Sequence, residues 1–474
     1  MKANLIVKLL LLFIYTSACA NKNNTSTDRN TTQDSIVTTT ITSPDSFETG
    51  KVIAKVVCKN DASQSYTLYI PAKGNNEVLP IIYFFDPHAA GSFPLNKYKT
   101  LADTYNFILI GSNNSKNGND WNTTEKIWNT ISTDTKKRLK INSNRIYTCG
   151  FSGGGKVASY IALQHTEIKS VIVGGAALPD GTAVGNFNFS LTILSGEGDM
   201  NMTDLVETNN ELNKTQTRHR IIFFDGIHEW APEATMNTAF AGLELDAMRT
   251  QVIPKDNAFI NDFIKKMKKE MDDLYINKSF IKAERISEIA ISMLDGLTDE
   301  VSWFKEKKEM IEKNAAYQNQ LQAQQKLLSK EQSIKASYMQ QFQQGDINYW
   351  TKEINDLKTK SKTPNAEAAM NQRLLAYLSL AFYSISNQLI NGNKNEQAAY
   401  FDTLYKTVDP TNSEAWYFSA ILNARSNNVK ATEDDLMQAV ANGFNDTQRM
   451  MQQPEFQALS SQLNLAKISS SIKN

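Results

Sequence analysis

The chain has 474 residues, and its 50 basic and 50 acidic side chains balance to a formal net charge of 0. That length exceeds one ordinary domain and predicts two or three, with a substantial core. The balanced charge excludes the global basic field that nucleic-acid binding uses.

The first residues carry Lys2 and Lys8, then an apolar run from Leu9 to Tyr15, then Thr16-Ser17-Ala18-Cys19. A basic start, a short apolar run and small residues form a signal peptide, too short for a stable membrane span. The Ser-Ala-Cys ending resembles a bacterial lipobox, with Thr16 where that motif usually has leucine. The resemblance implies a signal peptide over 1–18, a lipid on Cys19, and a place in the bacterial cell envelope, anchored to a membrane facing the periplasm or in the outer membrane. Residues 19–48, dominated by Asn, Thr, Ser and Asp, are too poor in apolar surface to fold and read as a disordered tether.

From residue 49 to 252 strand and helix signals alternate. Strands are predicted near 51–58, 64–70, 80–86, 107–111, 145–149, 169–174, 190–196 and 219–224. Helices are predicted near 94–105, 121–139, 153–165, 201–214 and 230–248. Two early antiparallel strands followed by β and α in alternation predict an α/β fold, with a mostly parallel sheet covered on both faces. The run Leu79 to Phe85 is almost wholly apolar, as a strand buried on both faces requires. Cys58 and Cys149 each fall in a predicted strand and are expected as buried free thiols. Neither lies in a Cys-x-x-Cys or Cys/His cluster, so no zinc site is expected. Trp121 and Trp128 are expected as core or rim packing rather than as substrate contacts.

The stretch Gly150-Phe151-Ser152-Gly153-Gly154 lies between a predicted strand and a predicted helix. In that context G-x-S-x-G marks a nucleophile elbow: a serine at the tip of a sharp turn, its hydroxyl exposed at a helix N-terminus. A serine nucleophile needs a base, and the base needs an orienting acid, which in this architecture follow in the order Ser, Asp or Glu, His. The sequence has four histidines: His88, His165, His219 and His228. His165 closes the helix after the elbow, and His219 opens a strand at its wrong end. His228 follows the carboxyl end of that strand, where catalytic groups gather in open α/β sheets. It is the base candidate. Asp199, on a loop with two glycines after the strand at 190–196, is the favoured acid; Glu197 competes with it, and Asp225 more weakly. One oxyanion donor is assigned to the Gly153 N–H, the other to the backbone of His88 or of Ala89, in the small-residue loop after the strand at 80–86.

These segments together make the chain similar to the α/β-hydrolases. More narrowly, it resembles the secreted polyhydroxybutyrate-depolymerase and feruloyl-esterase-like branch. Ile82 to His88, Phe107 to Asn113, Gly150 to Gly154 and Phe224 to Trp230 carry the resemblance, over residues 50–250. The first loop reads Asp86-Pro87-His88 where that superfamily usually has a His-Gly pair. The resemblance implies an α/β-hydrolase sheet and hydrolysis of an ester on a polysaccharide, a polyester or a small acyl ester, with no cofactor and no metal.

Beyond residue 253 strand signals vanish, and Lys, Glu, Gln, Ala and Leu dominate. Residues 253–365 read as a helical connector. Residues 366–474 read as paired helices, with Asp409-Pro410 and Asn442-Gly443 as punctuation. The step from Tyr400 to Thr432 resembles tetratricopeptide repeats, which implies a peptide or protein partner. The expected function is an exported serine esterase. A peptidase of the same fold, or a non-catalytic scaffold acting through its helical half, are the alternatives.

Overall fold

The computed structural model describes residues 45–472 apart from 75, 76, 364 and 366. The signal peptide, Cys19 and nearly all of the tether lie outside the described residues. The chain divides into two compact units that meet at Gln325 and Lys326.

The first unit is built on eight strands: β1 (Val52–Val57), β2 (Ser65–Tyr69), β3 (Leu79–Phe85), β4 (Ile108–Ser112), β5 (Ile141–Phe151), β6 (Ile168–Gly174), β7 (Ser190–Gly196) and β8 (His219–Phe224). They form one sheet in the order β1-β2-β4-β3-β5-β6-β7-β8. β1 and β2 pair antiparallel, as do β2 and β4, and every later pairing is parallel. Between the strands lie α1 (Ser92–Tyr105), α2 (Trp121–Arg138), α3 (Gly153–Gln164) and α4 (Met202–Leu212), and α5 (Glu233–Arg249) follows β8. This is a mostly parallel α/β sheet with helices on both faces.

Side chains alternate across a strand, and β3 shows the consequence. Ile82 and Phe84 enter one core with Leu95, Tyr98 and Leu101 of α1 and Phe240 and Leu243 of α5. Ile81, Tyr83 and Phe85 enter the other, with Ile127, Trp128 and Ile131 of α2 and Val157 and Ile161 of α3. Both faces are covered, so all seven residues of β3 are buried. Cys58 and Cys149 are buried thiols; burial pushes Cys58 up to about 12. Trp128 is core, whereas Trp121 is exposed and stacks on Tyr160 with centroids 4.5 Å apart.

The first core does not stop where the strand signals stop. Helices α6 (Asn257–Ile276), α7 (Phe280–Leu294) and α8 (Val301–Glu312) add Ile260, Phe263, Ile264, Met267, Ala290, Met293, Leu294 and Phe304 to it. On α6 the buried residues Ile260, Phe263, Ile264, Met267 and Met271 recur at helical spacing and make one apolar stripe. The Asp256 side chain caps this helix, accepting from the Ala258 and Phe259 N–H groups.

All described elements beyond residue 312 are helical, beginning with α9 (Ala315–Gln344), within which the boundary between the units falls. In the second unit α10 (Ile347–Lys362), α11 (Ala368–Asn391), α12 (Asn395–Val408), α13 (Ser413–Arg425) and α14 (Val429–Ala441) pack each against the next. α13 buries Ala415, Tyr417, Phe418, Ala420, Ile421, Leu422 and Ala424, a pattern too wide for a surface stripe; it is the central helix of the group. Three short helices, α15 (Thr447–Gln452), α16 (Pro454–Ala458) and α17 (Leu465–Ser470), close the chain.

Candidate active site

β5 runs directly into Ser152, and α3 begins at the next residue. Ser152 has φ +53° and ψ −125°, a conformation that a β-carbon makes costly, by about 1–3 kcal/mol. Its surroundings hold it there. The Ser152 N–H donates to the Gly174 carbonyl at 2.7 Å, and its own carbonyl accepts from Gly155 at 2.9 Å. The turn closes so tightly that a β-carbon on Gly150 would lie 2.0 Å from the Gly154 carbonyl oxygen. One on Gly154 would lie 1.9 Å from that of Phe85. Only glycine fits at either position.

His228 lies on the loop after β8, and its Nε2 is 3.0 Å from Ser152 Oγ. Its Nδ1 is 2.9 Å from Oδ1 of Asp199, on the loop after β7. A carboxylate only accepts hydrogen bonds, so Nδ1–H donates to Asp199. The lone pair of Nε2 then faces the serine hydroxyl, which donates to it. Asp199 is 1% exposed, and its Oδ1 also accepts from the Asn201 N–H at 2.8 Å. The His228 side chain is 19% exposed and lies against the Phe151 ring, centroids 4.7 Å apart. Serine, imidazole and carboxylate therefore form one continuous hydrogen-bonded line at the carboxyl ends of β5, β8 and β7.

Backbone pairing and a buried aromatic fix the two loops. The Glu197 N–H donates to Phe224 O at 2.9 Å, and the Gly198 N–H to Gly226 O at 2.8 Å, zipping the acid loop to the base loop. Two residues past His228, Trp230 packs on Phe84, Tyr98 and Phe151. Its indole N–H donates to buried Asp86 at 2.9 Å. The Tyr98 hydroxyl donates to Ala231 O at 2.7 Å and Lys97 Nζ to Trp230 O at 2.9 Å, so α1 also holds this loop.

Of the three acid candidates, only Asp199 meets His228. Glu197 lies 3.0 Å from Arg285 and 3.5 Å from Lys282, and Asp225 lies 3.2 Å from Lys282. His165 pairs with Glu125 at 2.9 Å. His219 bonds Thr217 O and Asn213 Oδ1, with burial lowering its pKa. Neither joins the site. The His88 N–H donates to Asp86 Oδ1 at 2.8 Å and the Ala89 N–H to Asp86 O at 3.2 Å. Both candidates for the second oxyanion donor are thus engaged within their own turn. For His88 the reason is the buried Asp86 carboxyl group, which satisfies an oxygen with a nearby N–H; for Ala89 it is the turn itself, closed on the Asp86 main-chain carbonyl. The His88 side chain is exposed.

Asn117 is a neighbour that sequence reasoning missed. Its N–H donates to Pro87 O at 2.8 Å, and its Oδ1 lies where a β-carbon of Gly153 would come within 1.9 Å. The loop after β4 thus roofs the residue that follows Ser152. A lone exposed asparagine in a polar loop carries no signal that would have found it. Asp86 and Trp230 lie in segments that carry the family resemblance, but their mutual bond spans 144 positions and leaves no local trace.

No protein-family model matches this sequence, and no curated protein is matched by it. Among solved structures the chain is similar to FphF, a fluorophosphonate-binding serine hydrolase of Staphylococcus aureus. There the TM-score is 0.34 and the identity 13%, over 41% of this chain and 99% of that one. It is similar to the S-formylglutathione hydrolase FrmB of the same organism, with TM-score 0.33 and 12% identity over 41% and 96%. A Pyrobaculum calidifontis esterase matches with TM-score 0.34 and 11% identity over 42% and 85%. These scores are low, and what the site can do follows from its own geometry.

Proposed function

We propose that this chain is an exported serine hydrolase that cleaves carboxyl esters through an acyl-enzyme. The observation that carries the reading is the line Ser152 Oγ, His228 Nε2, His228 Nδ1, Asp199 Oδ1, with links of 3.0 and 2.9 Å. Ser152 Oγ attacks the ester carbonyl while His228 takes its proton. Asp199 holds the imidazole tautomer and stabilises the cation. The Gly153 N–H, at the start of α3, faces the developing oxyanion. Collapse of the tetrahedral adduct expels the alcohol, which receives the proton from His228. Water, deprotonated by the same imidazole, then releases the acid and restores the serine.

Labelling with a fluorophosphonate, together with hydrolysis of short nitrophenyl esters, tests this reading. Wild-type protein labels and turns over; Ser152→Ala loses the label and at least about 10³-fold in kcat. Folded wild-type protein that takes no label sinks the reading and favours a scaffold role. Matched nitrophenyl esters and anilides separate esterase from peptidase. The lipobox-like ending supports a lipid on Cys19, with the catalytic unit tethered to a membrane. Cys19→Ala should move the protein from the membrane fraction to the soluble fraction of cells, and unchanged fractionation removes the anchor.

A further inference from the structure

We propose that Arg285, on α7 and outside the strand-and-helix repeat that bears the triad, is a positioning residue for the Asp199–His228 pair; this rests on the hydrolase reading above. Arg285 Nη1 lies 3.0 Å from Glu197 Oε1, and Glu197 stands two residues before Asp199. The same guanidinium carbon lies 3.8 Å from the ring centroid of Phe223, the penultimate residue of the strand that delivers His228. One side chain therefore holds the loop that bears Asp199, by a charge-assisted hydrogen bond, and the end of the strand that leads to His228, by a cation–π contact. Lys282, one helical turn earlier, repeats the bridge from Glu197 to Asp225, at 3.5 and 3.2 Å.

The helix is built for this. Ala283, Ser287, Ala290 and Leu294 of α7 are buried, while Lys282 and Arg285, three apart, reach the loops. An exposed ion pair contributes little because water screens it and two long side chains must be ordered. Here the side chains of Arg285 and Glu197 are only 16% and 25% exposed, and the aromatic ring already orders the guanidinium. What the contact secures is register. Proton transfer from Ser152 to His228 works only while both hydrogen bonds keep their length and direction, and small displacements of a supporting residue reduce rate more than binding.

The experiment compares Arg285→Gln, Arg285→Lys, Glu197→Gln and the double variant Arg285→Gln/Glu197→Gln. It uses the full chain and a nitrophenyl ester, with active sites counted by fluorophosphonate labelling. In Arg285→Gln, kcat per labelled site falls about tenfold while KM stays within about twofold. Arg285→Lys recovers part of the loss, and the double variant is no slower than Arg285→Gln. Wild-type kcat in Arg285→Gln overturns the proposal. So do additive losses in the double variant, because Arg285 would then not act through Glu197. Where Arg285→Gln does not fold, Arg285→Lys and Glu197→Gln decide: wild-type kcat in both overturns it. Wild-type protein that neither labels nor turns over removes the hydrolase reading and this proposal with it. A labelled, active wild type with an unimpaired Arg285→Gln removes this proposal alone.

Discussion

A methyl group on Gly154 would sit 1.9 Å from the Phe85 carbonyl oxygen, whereas one on Gly185 would meet nothing within 4 Å. Backbone cannot swing aside as a flexible side chain can, so Gly154→Ala should cost more than about 3 kcal/mol or leave the protein insoluble. Gly185→Ala should be neutral, or stabilising by about 0.4–1 kcal/mol through its effect on the unfolded chain. Chemical denaturation of the two variants checks the contrast, and a Gly154→Ala protein as stable as wild type would refute the account of the elbow. Residue-scale geometry was legible in the sequence wherever a local motif encoded it. Ser152 sits in a turn whose glycines are adjacent in the chain. His228 could be singled out because there are only four histidines and a strand's carboxyl end marks the place where one is useful. For His88 and Ala89 position along the chain is not enough, because the His88 N–H meets the Asp86 side chain and the Ala89 N–H the Asp86 main-chain carbonyl.

Among the helices of the second unit, one buried carboxyl group sets a pH dependence. Asp402, on α12, is 2% exposed, and burial raises it from its ordinary 3.8 to about 7, with Lys406 opposing the rise and Asp435 adding to it. Lys406 Nζ is 3.6 Å from Oδ2 and donates instead to Ser419 Oγ at 2.7 Å, while Oδ1 is buried without a hydrogen-bond partner. A folded-state value above the unfolded one means that the unfolded chain releases the proton first as pH rises. The contribution to stability is fully present below about pH 4 and is lost as pH rises to about 7, on the order of a few kcal/mol at most. Asp402→Asn cannot ionise and should flatten that decline. Thermal unfolding of the full chain at pH 5 and pH 8 measures it, and an equal drop in wild type and variant would show that Asp402 is not the group responsible. The helices themselves were visible in the sequence as apolar periodicity, but nothing in the spacing of Asp402 distinguishes a core carboxylate from a surface one.

Across the whole molecule, the change in composition near residue 255 marks the end of strand-forming sequence and not the end of the first core. Phe151, which lies against His228, and Phe84 and Trp230, which pack with it, belong to the same buried cluster as Phe263, Met267, Met293 and Phe304. Each large apolar side chain of that cluster left uncovered forfeits about 1.5–3 kcal/mol, and several lost together exceed the stability of an ordinary domain. A chain ending at residue 250 should therefore aggregate, whereas one ending at Gln325 should be soluble and keep its fluorophosphonate label. Size-exclusion chromatography and labelling of the two decide it, and a soluble, labelled protein ending at 250 would contradict the shared core.

The sequence by itself determined the order of strands and helices, the elbow and the candidates for base and acid. Each is written in neighbours along the chain: an apolar period, a glycine beside a serine, a histidine just past a strand. Tertiary structure set Asp199, rather than Glu197 or Asp225, against His228, engaged the N–H groups of His88 and Ala89 with Asp86, and brought Arg285 to Glu197. The first and last of these join segments 29 and 88 positions apart, and the Trp230 bond that holds Asp86 spans 144, although His88 and Ala89 meet Asp86 within one turn. Their energy comes from desolvation and hydrogen-bond geometry that exist only once the chain has folded.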